Sequence, residues 1–298
     1  MAIYTQNLCF KLVVCNTKMI PLKYVRSLGD TYNEGMMCLT DYIDNYGQVL
    51  LLVKDAKNLT LEDQVSDFFL FCLTKSVKSL RASFELIKNS YSQDSLIVLR
   101  TVYENYLSIE YAISYPSKLR NIFHNRLGYS IGRFKNVLNQ KGRIVKGKLL
   151  DTKTNEIVDH EEISVYGLSR ASKFEYDKLV NDHLYQFLSE FIHPNMVSSG
   201  SYRDEEMKHY SYTALENIIQ PMWISTYLIM ILLQQVILNR EIDPLALNKY
   251  QKVLRRNIRR LTNYCSYVIS LAKTENDNIK KEAFELIKLR LKEKKNRT

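Results

Sequence analysis

Glycine and proline are scarce in this chain of 298 residues, at nine and five. Turn-rich β architectures consume both, so the shortage excludes them and favours long helices. Cysteine is little used: five residues, at positions 9, 15, 38, 72 and 265, with no C-x-x-C spacing and an odd count. That excludes a zinc motif and a paired disulfide framework, and it points to a reducing cytoplasm. The five histidines are scattered and no H-E-x-x-H is present, so neither a metal nor a cofactor is expected. The N-terminus has no basic stretch ahead of its apolar residues, and Lys11 interrupts them, so no signal peptide is expected. A membrane-length apolar run is missing too. No charge falls between Glu216 and Arg240, but the strongest apolar part, Pro221 to Leu233, is only 13 residues, flanked by Gln220, Gln234 and Gln235. That length suits a buried core helix, and no membrane span is expected.

What is present is ordinary for a globular protein: 46% hydrophobic and 25% charged residues. The net charge of +10 is unevenly placed, because Arg240 to Thr298 carries sixteen Lys/Arg against seven Asp/Glu. The first 239 residues are nearly neutral. Residues 1–21 read as irregular, a short strand or strap. Helical periodicity covers about 22–46 and 61–89, the latter with Phe68, Phe69, Leu73, Val77, Leu80 and Phe84 inward. After Pro116 a helix is expected over 117–139. Residues 141–167 look extended, RIVKGKLL and EISVYG about a DTKTNE turn, as an inserted hairpin-like loop. Helices follow over about 172–193, 206–238 with a kink at Pro221, 245–274 and 277–293. The expected fold is all-α: an antiparallel helical bundle over 1–240, with a basic helical C-terminal extension, 241–298, packed on it.

The bundle is organised around Ser95 to Tyr115. Leu96, Leu99, Val102, Ile109 and Ile113 spread around its wheel, as in a helix surrounded by others. Arg100 and Glu104 lie one turn apart within it, and Tyr111 falls within roughly 20° of Arg100. Burying such ions costs several kcal/mol each unless they find partners. The pair either ties the core together or builds a site. A second polar line is Tyr185, Ser189 and His193, at i, i+4 and i+8, with Pro194 stopping the helix. His193 would sit at a helix C-terminus, where the dipole favours its protonated form, either capping the helix or joining Arg100 and Glu104 in a pocket.

R-x-x-x-E at Arg100 and Glu104, then Y-x-x-x-S-x-x-x-H-P from Tyr185 to Pro194, resembles an uncharacterised bacterial helical family over roughly 60–200. That family is often met near phage-defence genes and has the flavour of HEPN bundles, many of them metal-independent RNases using an Arg and a His. The usual HEPN signature is R-x(4–6)-H on one helix. Here Arg120-Asn-Ile-Phe-His124 is one residue short of it, and Arg100 and His193 sit on different helices. The resemblance implies a defence or toxin effector in which His193 moves protons, Arg100 stabilises phosphate, Glu104 orients either, and Tyr185 and Ser189 support them by hydrogen bonds.

A third feature is a cationic ridge. Lys249, Lys252, Arg255, Arg256, Arg259 and Arg260 fall within about 140° of one helix face, with Tyr250, Leu254, Ile258, Leu261 and Val268 opposite. No acid lies between Leu245 and Thr274, so the ridge lacks neutralisation along its own helix. RNA or another nucleic acid is the natural partner. An acidic protein, anionic lipid or a second copy of the chain competes with it, and a merely solvated face is the plain alternative. Lys292 to Arg297 reads as a frayed end. Gly142 to Lys148 fits G-x-x-x-x-G-K, but Leu149 stands where a magnesium-binding hydroxyl is needed, so it is set aside as a phosphate loop. Two functions are thus expected: a metal-independent endoribonuclease, or a non-catalytic nucleic-acid-binding or partner-binding subunit of a defence system.

Overall fold

The fold is that of a computed structural model describing residues 20–47, 60–160, 164–192, 199, 202–203, 208–210, 218–271 and 275–294. The chain is predominantly helical, as its composition predicts, with one small three-stranded sheet. It divides into two compact units. The larger holds Met1–Gln48, Leu70–Tyr106 and Lys173–Thr298, and the smaller holds Val49–Phe69 and Leu107–Ser172. Residues 241–298 fall inside the larger unit with the N-terminal helix.

Helix α1 (Leu22–Tyr46), α2 (Leu61–Lys88) and α3 (Ser92–Ser114) lie close to their expected bounds. In α1, Gly35 is required by packing. A Cβ there would stand 2.3 Å from Ile229 Cγ2, so its absence lets α8 (Ile219–Asn239) approach closely. Fifteen of the 21 α8 residues are buried, and α8 packs on α1 and on α9 (Pro244–Leu271). By length and composition α8 could cross a membrane, yet 83% of its most apolar window is covered within the protein. Pro221 does not kink it. It sits in the first turn, where its missing N–H is not needed. The same economy starts α9: Pro244 is its first residue, and Asp243 Oδ1 accepts from the backbone N–H groups of Leu245 and Ala246 at 2.9 and 3.0 Å.

The last helix, α10 (Glu275–Lys292), belongs to the core. Phe284, Ile287, Arg290 and Leu291 are all buried on it, while Lys292 and Lys294 are exposed, in keeping with the expected solvated end, and Glu293 between them is partly covered; residues 295–298 lie outside the described residues. Between α3 and α8 in sequence runs a helix broken in register: α6 (Glu175–Val180), a π turn (Asn181–Tyr185) and α7 (Gln186–Glu190). A π turn inserts one extra residue per turn and often marks a functional position.

In the smaller unit α4 (Pro116–Ser130) ends nine residues before its expected limit. Gly132 adopts φ +75, Gly132 N–H bonds Tyr129 O, and Arg133 N–H bonds Gly128 O, a Schellman stop. The chain then forms β1 (Phe134–Leu138), β2 (Ile144–Asp151) and β3 (Ile157–Asp159), antiparallel in the order β1-β2-β3. DTKTNE is the β2–β3 turn, as read. The second extended segment, however, is 157–159 rather than EISVYG: Val165–Ala171 is a short helix, α5, capped by Ser164 Oγ accepting from Gly167 N–H at 3.1 Å. Gly142 to Lys148 enters strand β2, not a strand-to-helix loop, so it has no phosphate-loop context. The expected strap at 1–21 lies almost wholly outside the described residues, as does most of the stretch from 206 to 217.

Candidate functional site

Helices α3 and α7 bring the two polar motifs together. Arg100 Nε lies 3.0 Å from Glu104 Oε1, across one helical turn. Arg100 Nη2 donates to Tyr185 Oη, which in turn donates to Glu104 Oε1 at 3.3 Å. The guanidinium also lies over the Tyr185 ring, 4.7 Å from its centroid. Tyr185 closes the π turn, and one α-turn later Ser189 Oγ donates back to Tyr185 O at 2.6 Å. Ser189 therefore braces the backbone that carries Tyr185 and does not itself touch the ion pair. His193, a further turn on, lies outside the described residues together with Pro194.

The cluster is not a closed core. The side chains of Arg100 and Glu104 are 20% and 34% exposed. Behind it Tyr103, 6.5 Å from Tyr185 between ring centroids, is wholly buried, and burial pushes its hydroxyl well above the ordinary phenol range. Tyr111 belongs to the smaller unit, where it is buried with its ring against that of Tyr115. Arg120 and His124 are also occupied separately there. Arg120 Nε donates to Gln64 Oε1 at 3.1 Å, and His124 meets Phe134 edge-on.

A fully closed ion pair does exist in the larger unit, where the sequence reading placed none. Arg290 and Asp177 are both 0% exposed and paired through Nε and Oδ1. Arg290 Nη2 donates to Tyr106 Oη, which donates to Asp177 Oδ2 at 2.6 Å. Arg290 Nη1 donates to Gln234 Oε1 at 2.8 Å, and the guanidinium plane lies 3.6 Å from the Phe174 ring centroid. Next to it the Glu293 carboxylate accepts from the N–H groups of Glu175 and Tyr176, supplying the cap that Phe174 cannot give α6. With two charges, a phenol and an amide satisfied together, this assembly ties α10 to α3, α6 and α8. Its sequence signal was faint: one arginine among the lysines of a C-terminal helix.

The cationic ridge on α9 splits into two stripes. Lys249, Arg256 and Arg260 face α1. Lys249 Nζ meets Asp41 Oδ2 at 2.5 Å, Arg256 meets Glu34 at 2.7 Å, and Arg260 meets Glu34 at 2.9 Å and Asp30 at 3.7 Å. Neutralisation absent along α9 is thus supplied from α1. Lys252, Arg255 and Arg259 form the other stripe, exposed and in no ion pair among the described residues. No group of three or more His, Cys, Asp or Glu arranged to hold a metal ion occurs among the described residues.

Comparison with curated proteins gave no match, and neither did comparison with solved structures. Residues 67–210, which contain the Arg100–Glu104 and Tyr185–Ser189 motifs, are similar to a family of unknown function, DUF5677.

Proposed function

We propose that the protein is a metal-independent endoribonuclease of HEPN-like character, a cytoplasmic defence or toxin effector with Arg100, Glu104 and Tyr185 at its reaction centre. The observation that supports this reading is the meeting of two polar motifs, 85 residues apart, in a part-open cluster. The same unit shows what an internal tie looks like: Arg290 and Asp177, sealed on every side. Arg100 and Glu104 instead keep an open flank where a phosphate can approach.

RNA cleavage of this kind needs three things: a base for the ribose 2′-OH, an acid for the leaving 5′-oxygen, and a cation for the crowded phosphate. The 2′-oxygen attacks phosphorus, the bond to the 5′-oxygen breaks, and a 2′,3′-cyclic phosphate and a 5′-hydroxyl result. Arg100 is the cation, Glu104 fixes its orientation, and Tyr185 holds both by hydrogen bonds. His193 is the proton carrier in this scheme.

A second reading rests on the exposed stripe of Lys252, Arg255 and Arg259. Three unpaired cations on one helix face favour a nucleic-acid-binding subunit that cleaves nothing. The two readings part in one assay. Labelled RNA is incubated with the purified chain in chelator, alongside Arg100→Ala and His193→Ala. The nuclease reading expects cyclic-phosphate products from the wild type and a loss of at least about a hundredfold in either variant. Cleavage by His193→Ala at the wild-type rate would remove the histidine from the mechanism. Binding without cleavage by the wild type would establish the second reading in place of the first.

A further inference from the structure

Between Arg126 and Asn155 the smaller unit carries eight Lys/Arg and one acid, Asp151. Asp151 is engaged by Arg133 at 3.0 Å, and Lys148 by Asp159 at 2.5 Å. Of the other six, all exposed and in no ion pair among the described residues, Arg126 lies on α4 and Lys153 in the β2–β3 turn, which leaves Lys135, Lys141, Arg143 and Lys146. All four belong to the ribbon made by β1, β2 and their turn. β3 pairs only with Lys148, Leu149 and Leu150, so towards the tip the ribbon has two strands, and every residue from 138 to 144 is exposed.

The tip is locked. Asn139 Oδ1 accepts from the N–H groups of Lys141 and Arg143 at 2.9 and 3.0 Å. Asn139 N–H donates to Arg143 O at 2.8 Å, and Gly142 holds φ +71, a conformation that favours glycine. Directly below, Leu138 pairs with Ile144 across the strands, which accounts for these two exposed aliphatic side chains as a hairpin clasp. The cations are left without a structural task. They stand on a rigid frame, so little conformational freedom is lost when they bind a ligand.

We propose that this ribbon is a contact for duplex nucleic acid, with Lys135, Lys141, Arg143 and Lys146 on its phosphates. The ligand must be polyanionic, because four cations stand together with no acid of their own. A single strand would call for exposed aromatic rings on which bases stack. Within the ribbon, residues 134 to 151, the one aromatic is Phe134, 3% exposed and packed against Gly128 and His124. The exposed ring beside the ribbon, Tyr129, is held by Asn136 Nδ2, which donates to its hydroxyl at 3.1 Å. A lipid surface would call for bulky apolar residues at the tip itself, which reads Asn139-Gln-Lys-Gly-Arg143; the two exposed aliphatic residues below it, Leu138 and Ile144, face each other across the strands. A two-stranded ribbon has the width of a duplex groove, and phosphate contacts need no base to be unstacked. The site is independent of the reaction centre: a subunit that cleaves nothing would hold a duplex in the same way.

The test is fluorescence anisotropy of the full chain with a short blunt RNA duplex, the matching DNA duplex, the single strands and polyglutamate, over a range of salt. Two variants are compared with wild type: Lys135→Gln/Lys141→Gln/Arg143→Gln/Lys146→Gln, and the tip pair Lys141→Gln/Arg143→Gln. Lys75→Gln/Lys78→Gln, two exposed lysines of α2, serves as the control. The fourfold variant should bind duplex at least about tenfold more weakly near 0.1 M salt. Its log–log salt slope should be flatter by about 3.6, since each phosphate contact contributes about 0.9. The tip pair should show about half of that, with an unchanged circular-dichroism spectrum. Unchanged affinity and slope in the folded tip variant would overturn the proposal. So would tighter binding of single strands or polyglutamate than of duplex. Cleavage is scored separately, so a chain that binds duplex through the ribbon and cuts nothing loses only the nuclease reading. A chain that cuts and ignores the ribbon loses only this one.

Discussion

Arg100 and Arg290 each pair with a carboxylate in the larger unit, and they differ in what surrounds them. Arg290 and Asp177 are sealed from water, with Tyr106 and Gln234 completing their hydrogen bonds. Removing one partner from such a pair leaves a bare buried charge, a loss of about 3–5 kcal/mol. Arg100 and Glu104 keep part of their solvation, and pairs of that kind couple by about 1 kcal/mol or less. Urea unfolding should therefore separate them: Arg290→Met strongly destabilising, and the cycle of Arg100→Met with Glu104→Leu nearly additive. Coupling of several kcal/mol between Arg100 and Glu104 would mean that the pair is a core tie and not an open site. The R-x-x-x-E spacing disclosed the second pair. Nothing of the first was legible, because its members lie 113 residues apart and only the fold joins them.

At the scale of elements, two glycines of α1 make opposite cases. A Cβ on Gly29 meets nothing within 4 Å, whereas one on Gly35 would strike Ile229 Cγ2 at 2.3 Å and Met230 Cε at 2.6 Å. Gly29→Ala should raise stability by about 0.5–1 kcal/mol through helix propensity alone. Gly35→Ala should lower it by about 1–3 kcal/mol, because the α1–α8 spacing must open. Thermal unfolding of the two variants should move in opposite directions. A rise in both would show that α1 and α8 are not packed this closely. In the sequence both glycines merely weaken a periodic pattern, and which one is a packing device depends on α8. The overrun of α4 has a local cause instead. Gly132 was the stop signal, with its positive φ and Schellman bonds, and apolar periodicity carried on past it.

Across the whole molecule, burial raises the pKa of many groups at once. The thiols of Cys72 and Cys265 are each pushed up to about 12 and that of Cys38 to about 11, while the hydroxyls of Tyr32, Tyr103, Tyr227 and Tyr264 go higher still. The folded state therefore holds these protons at pH values where the unfolded chain, with thiols near 9.0 and phenols near 10.0, releases them. Unfolding sheds protons, so stability falls as pH rises above about 9 and is fully present below that value. Urea midpoints should be flat from neutrality to about pH 9 and decline beyond it. At pH 8 the three thiols should resist alkylation until the protein unfolds, as read by peptide mapping. Rapid labelling of Cys72 in the native protein would contradict the burial described here.

By itself the sequence determined what depends on neighbours along the chain. Scarce glycine and proline with 3.6-residue periodicity set the helical class and the bounds of α1, α2 and α3, and the two polar motifs stood out by their i, i+4 spacing. Tertiary structure decided what depends on distant partners. It brought Tyr185 to Arg100 across 85 residues, assigned Asp30, Glu34 and Asp41 to one stripe of the α9 ridge, and placed α10 in the core through Arg290. Charge averaged over 239 residues hid the ribbon, whose cations become one surface only when β1 and β2 pair. The physical reason is the same in each case. Helix formation is governed by local hydrogen bonds and side-chain spacing, whereas the partner of a charge is set by which helices the apolar faces press together.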